Sequence, residues 1–216
     1  MDFSVPEDVR MIRDVVSRFV ARELVPLEPE IIRREAERGY EDSPLIPPEI
    51  QARLDSVTRE IGLWGIDVPE RFGGQALGAI HKCAVVEQLK HSIVPYVLPP
   101  ESPNLFLLQA CCKGDQVDRY LLPYARGELR SCLALSEPGA GSDAAAIQLR
   151  ADRVNGKCRL NGVKVWISNA RRADFMVVIA VTDRNAGRRG GMTAFLVDRG
   201  TPGVTVPRSI AMIGEY

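Results

Sequence analysis

Cys132-Leu133-Ala134-Leu135-Ser136-Glu137-Pro138-Gly139-Ala140-Gly141-Ser142-Asp143 runs from four apolar residues into a glycine-containing turn crowded with hydroxyls and acids. About twenty residues later, Lys164-Val165-Trp166-Ile167-Ser168-Asn169 answers it. Between the two, Ile147, Leu149 and Ala151 alternate with Gln148, Arg150 and Asp152. Asn155-Gly156 then supplies the left-handed dihedrals of a tight turn, so the spacing predicts strand, hairpin turn and strand. Phe175 to Val181 and Met192 to Val197 are continuous apolar runs on either side of a Gly- and Arg-rich loop at 187–191. Thr201-Pro202-Gly203 leads to a last predicted strand near Val204 to Val206. Strands joined by such short turns predict a small antiparallel β-barrel or sandwich.

Upstream of Arg130 the period is helical. Ser4-Val5-Pro6-Glu7 reads as a capping box before Val9, Ile12, Val16 and Phe19, which predicts an amphipathic helix to about Leu24. A proline- and charge-rich connector follows, partly helical between Glu30 and Arg38. Ile50, Leu54, Val57 and Ile61 mark a second helix with Gly62 at its C-terminal end. The loop from Gly62 to Gly74 carries the pair Gly73-Gly74, as expected where backbone passes close to other atoms. Further helices are predicted from Leu77 to His91, from a Ser102-Pro103 start through Cys112, and from Asp115 to a stop at Pro123. The change from helical to β-like periodicity at Gly127 to Arg130 predicts a multidomain α and β chain. Residues 1–129 form an all-α N-terminal domain, and 130–216 a small antiparallel β-barrel domain incomplete at its C-terminal end.

Composition narrows the function. The 216 residues carry 28 basic and 28 acidic side chains, a balance that gives no reason to expect nucleic acid or an anionic membrane as the main partner. No stretch approaches the length of a membrane span, and Met1-Asp2-Phe3-Ser4 lacks the pattern of a signal peptide, so the expected location is cytoplasmic. The five cysteines show no metal-binding spacing and read as reduced thiols; neither histidine lies near a Ser or Cys motif, and no metal site is expected.

Gly139-Ala140-Gly141-Ser142-Asp143-Ala144 formally fits the dinucleotide fingerprint G-x-G-x-x-A. That motif should open a helix inside a parallel βαβ unit, whereas an alternating strand and a hairpin follow here. Two readings stay open for the stretch by itself. It is an ordinary turn with Ser142 or Asp143 capping a short helical turn, or a row of backbone N–H groups joined by the Ser136 and Ser142 hydroxyls that suits phosphate oxygens or polar ring edges. As a strand, 164–168 would place Lys164, Trp166 and Ser168 on one face, an indole beside a hydroxyl able to cover a flat ring.

Leu133 to Asp143, together with Leu160-Asn161-Gly162-Val163-Lys164-Val165-Trp166-Ile167-Ser168-Asn169, resembles the paired signature of the acyl-CoA dehydrogenases. The likeness extends to Gly65 through Gly74 and to Gly190 through Gly203, and covers nearly the whole chain in order. It implies a helical N-terminal domain, a central β-barrel and a C-terminal four-helix bundle, the last absent from these residues. It implies FAD as cofactor, with Leu133, Leu135, Ser136, Gly141, Ser142, Trp166, Ile167 and Ser168 as cofactor-binding residues. Within that set the Ser168 hydroxyl would lie at flavin N5, Trp166 near the ring, and Ser142 near both the pyrophosphate and the substrate pantetheine. Ser136 and Ser168 stand where the family often has Thr, and the hydroxyl is kept.

The implied reaction is α,β-dehydrogenation of an acyl-CoA thioester, in which a Glu removes the α-proton and the β-hydrogen leaves as hydride. The implied partners are acyl-CoA, an electron-transferring flavoprotein or similar acceptor, and further subunits in a homo- or hetero-oligomer. The catalytic Glu of the family belongs to the C-terminal domain, and the sequence ends at Gly214-Glu215-Tyr216, so no catalytic residue is expected within it. Glu137 is expected to serve the turn. Three readings follow: part of a longer dehydrogenase, a natural short subunit completed by a partner chain, or an acyl-CoA-binding scaffold without turnover. Flavin oxidases and monooxygenases share similar barrels. The pairs Arg171-Arg172 and Arg188-Arg189 fall in predicted loops and read as solvated arginines.

Overall fold

The structure, a computed structural model, describes residues 4–39, 43–208 and 210, without the side chains of 187–189, so the Arg188-Arg189 guanidiniums lie outside it. The chain divides into two compact units, one built from residues up to Glu101 with Ala125–Gly127, the other from Ser102–Tyr124 with Glu128–Ile210.

In the first unit, helix α1 (Glu7–Phe19) buries Val9, Val16 and Phe19, as the spacing predicts. The helix starts after Pro6, whose extended ψ of 151° makes it the entry residue, and Glu7 and Asp8 supply the favourable negative charge of the first turn. A π turn at Val20–Leu24 and a 3-10 turn at Val25–Leu27 lead into α2 (Glu28–Arg38). Helix α3 (Pro48–Glu60) ends in a Schellman motif: Gly62, at φ 74°, donates to the Arg59 carbonyl and Leu63 to the Thr58 carbonyl. Helix α4 (Ala79–Leu89) packs against α1. Val16, Leu24, Leu54, Leu63 and Val85 fill the core, at 1% exposure or less. The glycine loop does bring backbone together: a Cβ on Gly74 would sit 2.1 Å from the Val68 carbonyl oxygen.

In the second unit, α5 (Leu105–Cys111) starts after Asn104 rather than Ser102, because the Asn104 amide reaches Ser131 Oγ at 2.8 Å in the interior. After a π turn at Val117–Leu121, α6 (Leu122–Ala125) contains Pro123 instead of stopping before it. The helical path runs into the proline through the π turn, with Leu122 N–H on the Val117 carbonyl. Tyr120 and Tyr124 meet Phe175 edge-on, ring centroids 5.0 and 5.8 Å apart, and the Tyr120 hydroxyl donates to Asp198. Those contacts explain why a helical stretch belongs to the sheet's compact unit.

The strands are β1 (Ser131–Ala134), β2 (Arg150–Val154), β3 (Lys157–Asn161), β4 (Phe175–Val181) and β5 (Met192–Asp198). Strands β2 and β3 form the predicted hairpin, with Asn155 and Gly156 at φ 51° and 74°. The expected barrel is not formed among the described residues: the sheet is open. Strand β4 carries β1 and then the start of β2 along one edge, both parallel to it, and β5 antiparallel along the other, and β3 does not meet β5. The sheet is therefore mixed, since the long connection from β1 to β4 is a crossover and not a hairpin. Val204 to Val206 is irregular instead of a strand, although Val206 packs against the sheet core.

Candidate functional site

Strand β1 buries Ser131, Cys132 and Ala134 and turns Leu133 outward, 39% exposed. Burial pushes the Cys132 thiol up to about 11. Beyond the strand, Leu135 and Ser136 are half-buried. Glu137 and Ala140 exchange two backbone bonds of 3.0 and 3.1 Å, closing a turn on Pro138-Gly139. Gly141 and Ser142 follow, exposed, before a 3-10 turn at Ala144–Ala146 that begins after Asp143 without a side-chain cap.

The second segment reaches the first by backbone: Val165 N–H donates to the Ser136 carbonyl at 2.9 Å. It is not the regular strand its alternation predicts. Residues 162–165 are irregular and without strand pairing, Trp166 sits at φ 58° and Asn169 at 63°, and 168–170 form a turn. The shared face for Lys164, Trp166 and Ser168 is therefore lost. Lys164 points inward, its side chain 8% exposed, while Trp166 stays 66% exposed and Ser168 exposed. The physical reason is the left-handed backbone at Trp166, which breaks the two-residue alternation. Ile167 is half-buried and packs against the sheet core.

The sequence pattern did not reveal what holds these segments. The Glu137 carboxylate, 9% exposed, accepts from Gln148 N–H at 2.7 Å, Leu149 N–H at 3.0 Å and Lys164 Nζ at 2.8 Å. Lys164 Nζ also donates to the Leu135 carbonyl at 2.8 Å. Burial by itself would raise the Glu137 carboxyl; the Lys164 ammonium and the two amides outweigh it and hold the group below its ordinary value. The available signal was Lys164 itself, a cation between Val163 and Val165, since a charge inside an apolar run calls for a buried partner.

Thus the structure joins Leu135 to the Lys164 side chain and Ser136 to the Val165 backbone, with Leu133 and Trp166 presenting apolar surface outward, and places Gly141 and Ser142 on the loop beyond the turn. Next to the turn lies a cleft of about 370 Å³ lined by Glu137, Pro138, Gly139, Gln148, Leu149 and Val163, among others. An exposed indole held in a left-handed conformation is a strained arrangement that folding alone does not require, and such outliers concentrate at ligand sites.

Two family models match the chain: acyl-CoA dehydrogenase, N-terminal domain, over residues 6–128, and acyl-CoA dehydrogenase, middle domain, over 132–215. The (R)-benzylsuccinyl-CoA dehydrogenase of Thauera aromatica is 40% identical over 99% of this chain and 54% of its own length. Butyryl-CoA dehydrogenase from Megasphaera elsdenii superposes with a TM-score of 0.69 at 27% identity, over 94% of this chain and 51% of that one. The FAD complex of PigA superposes with a TM-score of 0.74 at 25% identity, over 98% and 53%. The chain spans about half the length of the relatives it matches.

Proposed function

Starting from the membership of this chain in the acyl-CoA dehydrogenase family, we propose that it contributes the flavin- and thioester-binding portion of an FAD-dependent acyl-CoA dehydrogenase. The observation that carries the reading is the exposed Trp166 ring, held at φ 58° beside a segment that is bonded to Ser136. Leu133, Leu135, Ser136, Gly141, Ser142, Trp166, Ile167 and Ser168 would hold FAD, the serine hydroxyls meeting ring and phosphate oxygens, and Ser142 would also meet the pantetheine of the substrate. FAD, when bound, supplies the hydride acceptor.

The chain's own residues position and exclude. Trp166 and Leu133 cover the ring and keep water from it, and Ser136 and Ser168 orient its edge by hydrogen bonds. Glu137 is not the base: its carboxylate is committed to two amides and an ammonium. The α-proton is taken by a carboxylate outside these residues, in a further domain or partner subunit. The domain division at 129/130 belongs to this reading, supported by the change from helix to strand between Ala125 and Ser131 and by the family models, which meet between 128 and 132. The partner expected to accept electrons is an electron-transferring flavoprotein or similar protein. Among the described residues no helix is long and apolar enough to cross a membrane.

The test is direct. The chain titrated with FAD should quench flavin fluorescence saturably, and anaerobic addition of acyl-CoA should bleach the flavin only when the polypeptide carrying the base is supplied. The name of the Thauera aromatica relative makes benzylsuccinyl-CoA the first thioester to try, with butyryl-CoA beside it. Absence of FAD binding refutes the reading. Binding of acyl-CoA by a chain that takes up no flavin would favour the scaffold, and bleaching by the chain alone would place a base within it.

A further inference from the structure

The Glu137–Lys164 ion pair is enclosed, with side chains 9% and 8% exposed, yet it is spent on joining connecting segments rather than elements of the sheet. Three stretches of chain meet on it. Through Lys164 Nζ it holds the Leu135 carbonyl; through the carboxylate it holds the Gln148 and Leu149 amides; and the two side chains hold each other. Next to the pair, Val165 N–H is bonded to Ser136, and Gly162 lies so close to Leu149 that a Cβ there would fall 2.8 Å from Leu149 Cγ. Sheet ladders impose no register here, because residues 135–149 and 162–169 lie outside the paired strands.

We infer that Glu137 and Lys164 are positioning residues that lock the two segments of the cofactor site to each other, so that Ser136 on one and Trp166 and Ser168 on the other meet the flavin ring as a single rigid edge. The spacing supports this. Glu137 is the residue after Ser136, and Lys164 lies two before Trp166 and four before Ser168, so a shift of either charged side chain is carried to a ring contact within a few bonds. A buried charge pair with further hydrogen bonds has one well-defined geometry, whereas an apolar pair in its place would fill the volume and leave the register free to slide.

The inference rests on the proposed function. The experiment titrates wild type, Lys164→Met and the double variant Glu137→Gln/Lys164→Met with FAD and with riboflavin, following quenching of flavin fluorescence, and far-UV circular dichroism records folding. Riboflavin has the ring without the pyrophosphate and adenosine, so a loss at the ring edge should weaken both ligands by the same factor, about tenfold or more. Folded Lys164→Met with wild-type affinity for either ligand overturns the inference. If Lys164→Met does not fold, because Glu137 is left buried without its partner, the double variant removes that charge. It should then fold and still bind both flavins at least tenfold more weakly. A double variant that regains wild-type affinity, or one that cannot fold, overturns the positioning role. A wild-type chain that quenches neither flavin overturns the proposed function itself, and the inference falls with it.

Discussion

Replacing Trp166 separates folding from binding, because stability depends on which small residue replaces it and cofactor binding does not. The side chain is 66% exposed, so about a third of it is covered; with roughly 250 Å² for a large aromatic, that is about 80 Å², or about 2 kcal/mol of burial lost by either Gly or Ala. The backbone at φ 58° distinguishes the two. A non-glycine residue there bears about 1–2 kcal/mol of steric strain, which Ala keeps and Gly relieves. Glycine returns about 0.5–1 kcal/mol of that through the greater freedom of its unfolded chain. Trp166→Gly should therefore be more stable than Trp166→Ala by about 0.7 kcal/mol, the reverse of the order in a regular helix or strand. At a urea slope of about 2 kcal/mol/M, the unfolding midpoints should differ by about 0.4 M. Both variants should bind FAD at least tenfold more weakly, since each loses the ring. An alanine variant more stable than the glycine one refutes the left-handed backbone at 166, and unchanged FAD affinity in both refutes the assignment of the indole to the cofactor.

Phe175→Ala empties the space between Tyr120 and Tyr124 at a residue 1% exposed, and should lower unfolding free energy by about 3–5 kcal/mol in denaturant melts. Gly74→Ala drives a methyl into the Val68 carbonyl and should destabilise by more than about 1–3 kcal/mol, the usual range for overpacking, because backbone must yield; a wild-type melting temperature would contradict the close approach. Under native conditions a thiol reagent followed by mass spectrometry should label Cys83, Cys111 and Cys158, which are exposed, and spare buried Cys132 until the chain is unfolded. The Glu137 carboxyl is held below its ordinary value when folded, so it contributes stability that is fully present above the unfolded value and is lost as pH falls through the folded one. Glu137→Gln should therefore show a shallower loss of stability on acidification than wild type in pH-dependent unfolding.

Local chemistry was legible because it depends on neighbours in sequence. Asn155-Gly156 has only the tight hairpin open to it, and Gly62 closes α3 because a left-handed residue must follow there. The run from Phe175 to Val181 coincides with β4, as it must for a strand covered on both faces. The helix starts were less legible: Ser4 and Ser102 are good caps by type, but Pro6 and the buried Asn104–Ser131 bond decided the entries. At the candidate site, the two segments and their residue types could be read, whereas their meeting could not. Alternation at 164–168 placed Lys164 beside Trp166, and a single left-handed residue sent them to opposite environments.

The sequence by itself determined the helix-to-strand order, the hairpin, the turn at Pro138-Gly139 and the resemblance carried by Leu133 to Asp143 with Leu160 to Asn169, all properties of residues within a few positions of one another. Tertiary structure alone decided that the sheet stays open and mixed among the described residues, that Tyr120 and Tyr124 belong with Phe175, and that Glu137 and Lys164 bury their charges on each other. These outcomes depend on which distant groups compete for the same strand edge, cavity or hydrogen bond. Periodicity records which face of a segment is apolar, and carries no information about what that face will meet.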